Sequence, residues 1–252
     1  MTTAPSVPVP VSVSLEIAVT SPTGALVARD GGADRVELCV GLELGGLTPS
    51  QALVEAVHET GIPAHALVRS RPGGFVYDGD ELDLMEREVR AVLRSGAAGV
   101  VVGALRPDHT LDVDALRRFV DAARSVRASV EVTLHRAVDH ATDPVAAVAL
   151  LADLGFTRVL TSGGAPTASA GAATIARMVD AAGPVQVMAG AGVTPHDVPA
   201  LLRTGVAAVH LSAKRSAGSA HDGVPMGTGD DGSAHFVTDA AVVAAARAAL
   251  DA

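Results

Sequence analysis

Eight short apolar runs follow one another down this chain at roughly even spacing, and they alternate between two kinds of lead-in. Four are preceded by a helix-like tail, a glycine and a small residue: Gly32-Ala33-Asp34-Arg35-Val36, Gly96-Ala97-Ala98-Gly99-Val100, Gly155-Phe156-Thr157-Arg158-Val159 and Gly205-Val206-Ala207-Ala208-Val209. Between them fall the other four, and the eight predicted strands cover 15–19, 35–40, 64–69, 99–103, 130–135, 158–162, 185–190 and 207–212. Strand, helix and strand at about 30 residues per unit, repeated eight times, predicts a single (β/α)8 barrel of the TIM type. Such a barrel carries its site at the C-terminal ends of the strands, which confines the search for function to a few residues at each of eight places.

A chain of 252 residues suits one barrel domain, predicted over 14–252 behind a disordered tail at 1–13. A Gly-, Ser- and Asp-rich segment at 213–235 reads as a flexible loop before a last helix, with His221 and His235 solvated. With no Trp, one Tyr and four Phe, the core must be built from Val, Leu, Ile and Ala, as parallel strands buried on both faces require. A net charge of −9 and no Lys/Arg stripe argue against a nucleic-acid partner. No apolar run reaches membrane-spanning length, and no basic region followed by a long apolar stretch opens the chain. A cytoplasmic protein without a membrane or nucleic-acid partner is expected.

Successive strand residues point to opposite faces, and here the parity is legible. Val36 and Leu38 oppose Glu37 and Cys39; Val130, Val132 and Leu134 oppose Glu131, Thr133 and His135; Val209 and Leu211 oppose His210 and Ser212. The polar set faces the barrel interior, so Glu16, Glu37, Arg69 and His135 are predicted to converge on one pocket at the upper end. Either they form a structural ion network in the barrel, or they are the acid, base and anchor of a site. Buried charges must pair in either case.

The segments Leu15-Glu16-Ile17, Gly31 to Cys39, Gly45-Gly46-Leu47-Thr48-Pro49-Ser50, Val68 to Phe75, His135-Arg136-Ala137-Val138-Asp139 and Leu160-Thr161-Ser162-Gly163-Gly164 together resemble the CutC family of copper homeostasis proteins. The likeness runs from about residue 14 to 213 with every motif in order. It implies a TIM-type barrel, a cytosolic location, a homodimer and copper tolerance through Cu(I) binding. Cu(I) favours thiolate and thioether ligands. The candidates here are Cys39, the only cysteine, with Met188 and His210 on the inner face. Where family members use two cysteines this chain has one, so a second would have to come across a dimer. Cys39 reads equally as a small buried filler.

Two glycine-rich turns offer a different ligand. Ser162, Gly163 and Gly164 follow strand six, Gly190 and Gly192 follow strand seven, and Ser212 ends strand eight. Backbone N–H groups at such turns bind phosphate in other barrels, although the glycines equally suit tight turns. Arg71 and Arg136 add forked cations at the same mouth, unless Arg71 pairs with Asp78 or Asp80 and Arg136 with Asp139. Carboxylates, a histidine and arginines are what proton transfer on a small anionic or phosphorylated metabolite requires. Two functions therefore stand side by side: copper binding, and acid–base enzymology with His135 or Glu37 as base.

Overall fold

In a computed structural model that describes residues 13–217 and 235–252, eight parallel strands close into a barrel in sequence order. They are β1 (Ser14–Val19), β2 (Arg35–Leu38), β3 (Ala64–Leu67), β4 (Gly99–Val102), β5 (Glu131–Leu134), β6 (Arg158–Thr161), β7 (Gln186–Ala189) and β8 (Ala208–Leu211). The helices α1 (Pro22–Asp30), α2 (Gln51–His58), α3 (Gly79–Arg94), α4 (Val113–Val126), α5 (Pro144–Ala149), α6 (Leu151–Leu154), α7 (Ala172–Ala181), α8 (Val198–Leu202) and α9 (Ala240–Asp251) make up the outer layer. This is the (β/α)8 fold the repeat predicts. The tail expected at 1–13 lies outside the described residues save for Val13, as do 218–234 and His221. The two ends of the segment read as a flexible loop are ordered. Lys214–Ala217 (β9) pairs antiparallel with His235–Thr238 (β10), where His235 is exposed. Among the described residues no helix is long and apolar enough to cross a membrane.

Local chemistry sets the helix starts. Ser21 caps α1 by accepting from the Gly24 N–H at 3.0 Å, with Pro22 in the first turn where no N–H is needed. Helix α3 starts at Gly79 because Asp78 and Glu81 form a capping box with both bonds at 2.9 Å. Asp143 caps α5 just ahead of Pro144.

Two cores follow from the strand parity. The outward-facing Val36, Val100, Val132, Val159, Val187 and Val209 pack with helix residues such as Met85, Phe119 and Ile175 in one large apolar layer. The barrel interior is different. It holds two small apolar clusters, Cys39/Leu67/Val101 and Leu160/Met188/Ala208, and between them a buried ion network.

Arg35 is the centre of that network, and its register explains why. It lies beside Glu16 across the β1–β2 pair. Its Nε donates to Glu16 Oε2 at 2.5 Å, its Nη1 donates to Glu131 Oε2 at 2.9 Å, and the same nitrogen sits 3.3 Å from His65 Nε2. Glu16 is fully buried and Arg35 nearly so. Arg158 lies in the same interior, its Nη1 3.8 Å from Met188 Sδ, and burial with the nearby Arg35 charge draws it down to about 10. Arg35 has the inward parity of Glu37, two residues on, yet the sequence reading passed over it.

Removing one member of a buried pair leaves the other uncompensated, which costs about 3–5 kcal/mol. Arg35→Leu is expected to lose stability of that order in urea unfolding, and Arg35→Leu with Glu16→Leu to recover part of it. A single variant as stable as the unmodified protein would contradict the assignment.

Candidate active site

A cavity of about 150 Å³ opens at the C-terminal end of the barrel, lined by Glu37, Leu44, Gly45, Leu67, Arg69, Phe75, His135, Arg136 and His140. Three of the four residues predicted to share a pocket therefore do so. Glu16 does not. It lies deeper in the interior, sealed from solvent, and reaches the pocket only through His210. Parity fixes the face of a strand residue but not its depth, and Glu16 sits lower in the staggered barrel than Glu37.

His210 joins the two carboxylates. Its Nδ1 is 2.7 Å from Glu16 Oε1, and its Nε2 is 3.9 Å from Glu37 Oε2. Burial alone would push the Glu16 carboxyl up, but the Arg35 guanidinium and the hydrogen bond from His210 hold it well below the ordinary carboxylate range. An ionised Glu16 accepts from the His210 Nδ1–H, and with the field of Glu37 it raises the imidazole against the opposing effect of burial. Glu37 ends differently. Burial raises it, His210 lowers it, Glu16 raises it again, and it is left at about 7. It makes no hydrogen bond to any described residue, and 3.9 Å to His210 is too long for one. A nearly buried, unpartnered carboxyl poised at neutrality faces the cavity.

His135 caps the short helical turn that follows β5, its Nδ1 accepting the Ala137 N–H at 3.1 Å. The proton of the neutral ring is therefore on Nε2, which is buried without a partner. Burial, with the Arg69 charge second, lowers this imidazole to about 3. Of the two residues expected as base, His135 or Glu37, His135 presents a donor N–H to the cavity. Gly103, after β4, makes the space: a Cβ there would meet the His135 ring at 2.3 Å.

Arg69 has no carboxylate partner, contrary to the expectation that the inner charges pair with one another. Its Nη1 donates to Leu44 O at 2.9 Å and Gly46 O at 3.0 Å, and its Nη2 donates to Gly73 O at 2.7 Å. These carbonyls belong to the loops after β2 and β3, so the guanidinium clips both loops over the barrel mouth. Its Nε is buried and unpartnered, and its charge lies 5.4 Å from the centre of the Phe75 ring. Phe75 in turn packs on His135, ring centroids 4.8 Å apart.

The other candidates are placed as follows. Arg71 is absent from the cavity wall. It pairs with Glu81, not Asp78 or Asp80, and donates to Gly74 O and Val76 O, which ties its loop to the start of α3. Arg136 lines the cavity and pairs with Asp139, as one of its two readings had it. The glycine turns do not aim their N–H groups at a common empty point. Gly163 N donates to Thr161 Oγ1, Gly164 N to Asp139 Oδ1, and Gly190 N to Thr161 O in the barrel ladder. Gly190 is small because Leu160 and His210 crowd it, a Cβ there meeting Leu160 at 2.5 Å. Gly192 packs toward Thr167, and half-buried Ser212 lies off the cavity wall. Asp139, a partner for Arg136 in the sequence reading, proves to be the centre of this region. Its reach to β6 is a non-local contact with no signal in its own segment.

Cys39, Met188 and His210 are not brought together as a metal site. Cys39 is sealed beneath the Gly46 turn with Leu67, Val101 and Leu42, and burial pushes its thiol far up, with the negative charges of Glu37 and Glu43 adding to that. Met188 belongs to the separate Leu160/Ala208 cluster, and His210 is held by Glu16. Among the described residues no group of three His, Cys, Asp or Glu side chains is arranged to hold a metal ion. A protonated thiol in an apolar cluster does not fit Cu(I), which binds thiolate.

Comparison with known proteins agrees with the barrel. The CutC family model matches residues 13–215. The family protein CutC of Rhizobium meliloti (strain 1021) is 40% identical over 95% of this chain and 97% of its own. That of Xylella fastidiosa (strain Temecula1) is 46% identical over 81% of this chain and 76% of its own. Among solved structures, CutC from Streptococcus agalactiae, which carries a provisional copper-homeostasis name, superposes with a TM-score of 0.72 at 27% identity, covering 79% of this chain and 98% of that one.

The state of Glu37 has a stability signature. Its folded value of about 7 lies above the ordinary 4.5, so the stability it contributes is present below pH 4.5 and is lost as pH rises toward 7. Urea midpoints followed across that window are expected to fall more steeply for the unmodified protein than for Glu37→Gln. Parallel curves would contradict the raised carboxyl.

Proposed function

This chain belongs to the CutC family, and we propose that it is an enzyme that moves a proton on a small anionic metabolite in the cavity at the top of its barrel. One observation carries the reading. Glu37, His135 and Arg69 line the same small cavity, and each holds a polar group with no hydrogen-bond partner among the described residues: the Glu37 carboxyl, His135 Nε2–H and Arg69 Nε. Most buried polar groups are satisfied; His65 Nδ1, Ser70 Oγ, Tyr77 OH and Arg158 Nε are also left unpartnered among the described residues, but none of them lines this cavity. Three unsatisfied groups of complementary kind around one space are what a substrate completes.

The roles follow from the protonation states. Glu37, at about 7, is partly ionised at neutral pH and able both to take a proton and to return it. The reaction that suits it is removal of a proton from a carbon next to a carbonyl. Neutral His135 donates Nε2–H to the carbonyl oxygen as negative charge grows there. Arg69 supplies the cation that holds the substrate's anionic group. Phe75 and Leu67 exclude water on the apolar side, which strengthens each of these interactions. The proton remains on Glu37 until it is returned to the same or a neighbouring carbon. Glu16 touches no substrate in this scheme and acts through His210 on Glu37.

Copper homeostasis is the role named for the Streptococcus agalactiae relative, but among the described residues copper finds no fitting ligand set. Anaerobic Cu(I) titration against a competing chelator is expected to give the same result for the unmodified protein and for Cys39→Ala. A loss of more than about tenfold in affinity would bring the copper reading back. The family likeness also supports a cytoplasmic homodimer, which we keep as part of the proposal.

The enzyme reading is tested by incubating the protein with small keto acids and hydroxy acids in D2O and following loss of the exchangeable C–H signal by NMR. Exchange is expected, rising with pH through about 7 as Glu37 ionises. Glu37→Gln should lower the rate by about 10²–10⁴-fold. His135→Phe should lower it by about 10²–10³-fold without moving the pH midpoint. Arg69→Met should chiefly raise KM. Undiminished exchange in Glu37→Gln would remove this mechanism.

A further inference from the structure

Barrels of this architecture commonly hold phosphate on the loops after strands seven and eight, and any glycine-rich turn with free backbone N–H groups and hydroxyls can face an anion in the same way. The turn after β6 in this chain already faces an anion, and that anion is its own side chain. Asp139 Oδ1 accepts from Thr161 Oγ1 at 2.5 Å, Ser162 N at 3.0 Å and Gly164 N at 3.1 Å. Asp139 Oδ2 accepts from Ser162 N at 3.0 Å and Arg136 Nε at 2.8 Å, and lies 2.9 Å from Ser162 Oγ, whose single proton it shares with Ala165 O at 2.6 Å. The side chain is only 3% exposed. A carboxylate offers about four lone-pair sites, so its accepting capacity is filled.

We propose that Asp139 is a specificity-determining residue: its carboxylate occupies the place a phosphoryl group would take on the β6 turn, so the cavity accepts a small unphosphorylated carboxylate and turns phosphate esters away. The proposal narrows the substrate class of the acid–base reading above and rests on it. Two arguments beyond the filled cradle support it. The first is charge. Arg136 is the cavity residue next to the cradle, and Asp139 already neutralises it, while Glu37 adds a second carboxylate. With Arg136 offset by Asp139, the positive charge left on the cavity wall is that of Arg69, which balances a monoanion and not a dianionic phosphate. The second is geometry. The Arg136 nitrogens Nε and Nη2 are held by Asp139 and Ser162, so one nitrogen, Nη1, has no partner among the described residues. On the cavity wall Arg69 Nε is a second unpartnered cationic donor among the described residues, and two such donors can each take one oxygen of a carboxylate.

The test empties the cradle. Melting temperature and the Ser162 and Gly164 amide signals in ¹⁵N–¹H spectra are measured against sodium phosphate and sodium formate, with sodium chloride at equal ionic strength as control. In the unmodified protein, phosphate is expected to move neither amide. Asp139→Gly is expected to melt lower, and formate or phosphate should then raise the melting temperature and shift both amides saturably. Asp139→Ser, which also removes the carboxylate, serves if the glycine variant fails to fold. If neither folds in chloride, recovery of the native amide spectrum in formate or phosphate but not in chloride supports the proposal, and no recovery in either anion overturns it.

Saturable phosphate shifts at Ser162 and Gly164 in the unmodified protein would overturn the proposal. So would a folded variant in which neither anion moves these signals, since Asp139 would then be only a clip between the post-β5 turn and β6. Failure of the acid–base reading would appear elsewhere, as full exchange in Glu37→Gln with the amide results unchanged.

Discussion

The ion pair between Glu16 and Arg35 is the interaction on which the rest of the upper barrel depends. A carboxyl with no solvent exposure would ordinarily be neutral, and Glu16 stays ionised because a guanidinium lies 2.5 Å away. That charge holds the His210 Nδ1–H and raises the imidazole. His210 then stands 3.9 Å below Glu37 and counteracts part of the burial that would otherwise push this carboxyl higher still. The chain Arg35, Glu16, His210, Glu37 runs from the barrel interior to its mouth. Each member acts on the protonation of the next, and the two carboxylates of one barrel are shifted in opposite directions.

On the opposite wall the same logic yields donors in place of an acceptor. Arg69 is held by loop carbonyls and not by a carboxylate, so its charge stays uncompensated inside the protein. That uncompensated charge and burial together keep His135 neutral, and the Ala137 N–H fixes which of its nitrogens bears the proton. The cavity therefore presents a poised carboxyl on one side, and a neutral N–H and a fixed cation on the other. Beside Arg136, Asp139 takes up the hydroxyl and N–H donors of the β6 turn.

Much of this was legible in one dimension. The alternation of glycine-led and plain apolar runs encodes eight strand–helix units, since a strand buried on both faces and a helix with one apolar side have different periods. Strand parity named Glu37, Arg69 and His135 as inward-facing, and they share a cavity. Parity applies equally to Arg35, but its partners Glu16 and Glu131 come from β1 and β5, and pairings across the barrel leave no mark in the β2 segment itself.

What the amino-acid order determined by itself is the barrel, its membership of the CutC family and the set of side chains on the inner face, because these depend on local periodicity and on motifs kept in order. What only the tertiary structure decided is which of those side chains meet. The stagger of the strands sets depth, so Glu16 falls beside Arg35 and His210 while Glu37 reaches the cavity. Cys39 and Met188 share an inward parity yet end in separate clusters. Asp139 lies more than twenty residues from the turn it fills. A partner across the barrel has no signature in its own segment, and the protonation of a buried group is set by such partners, so the chemistry of the site emerges only when the sheet closes.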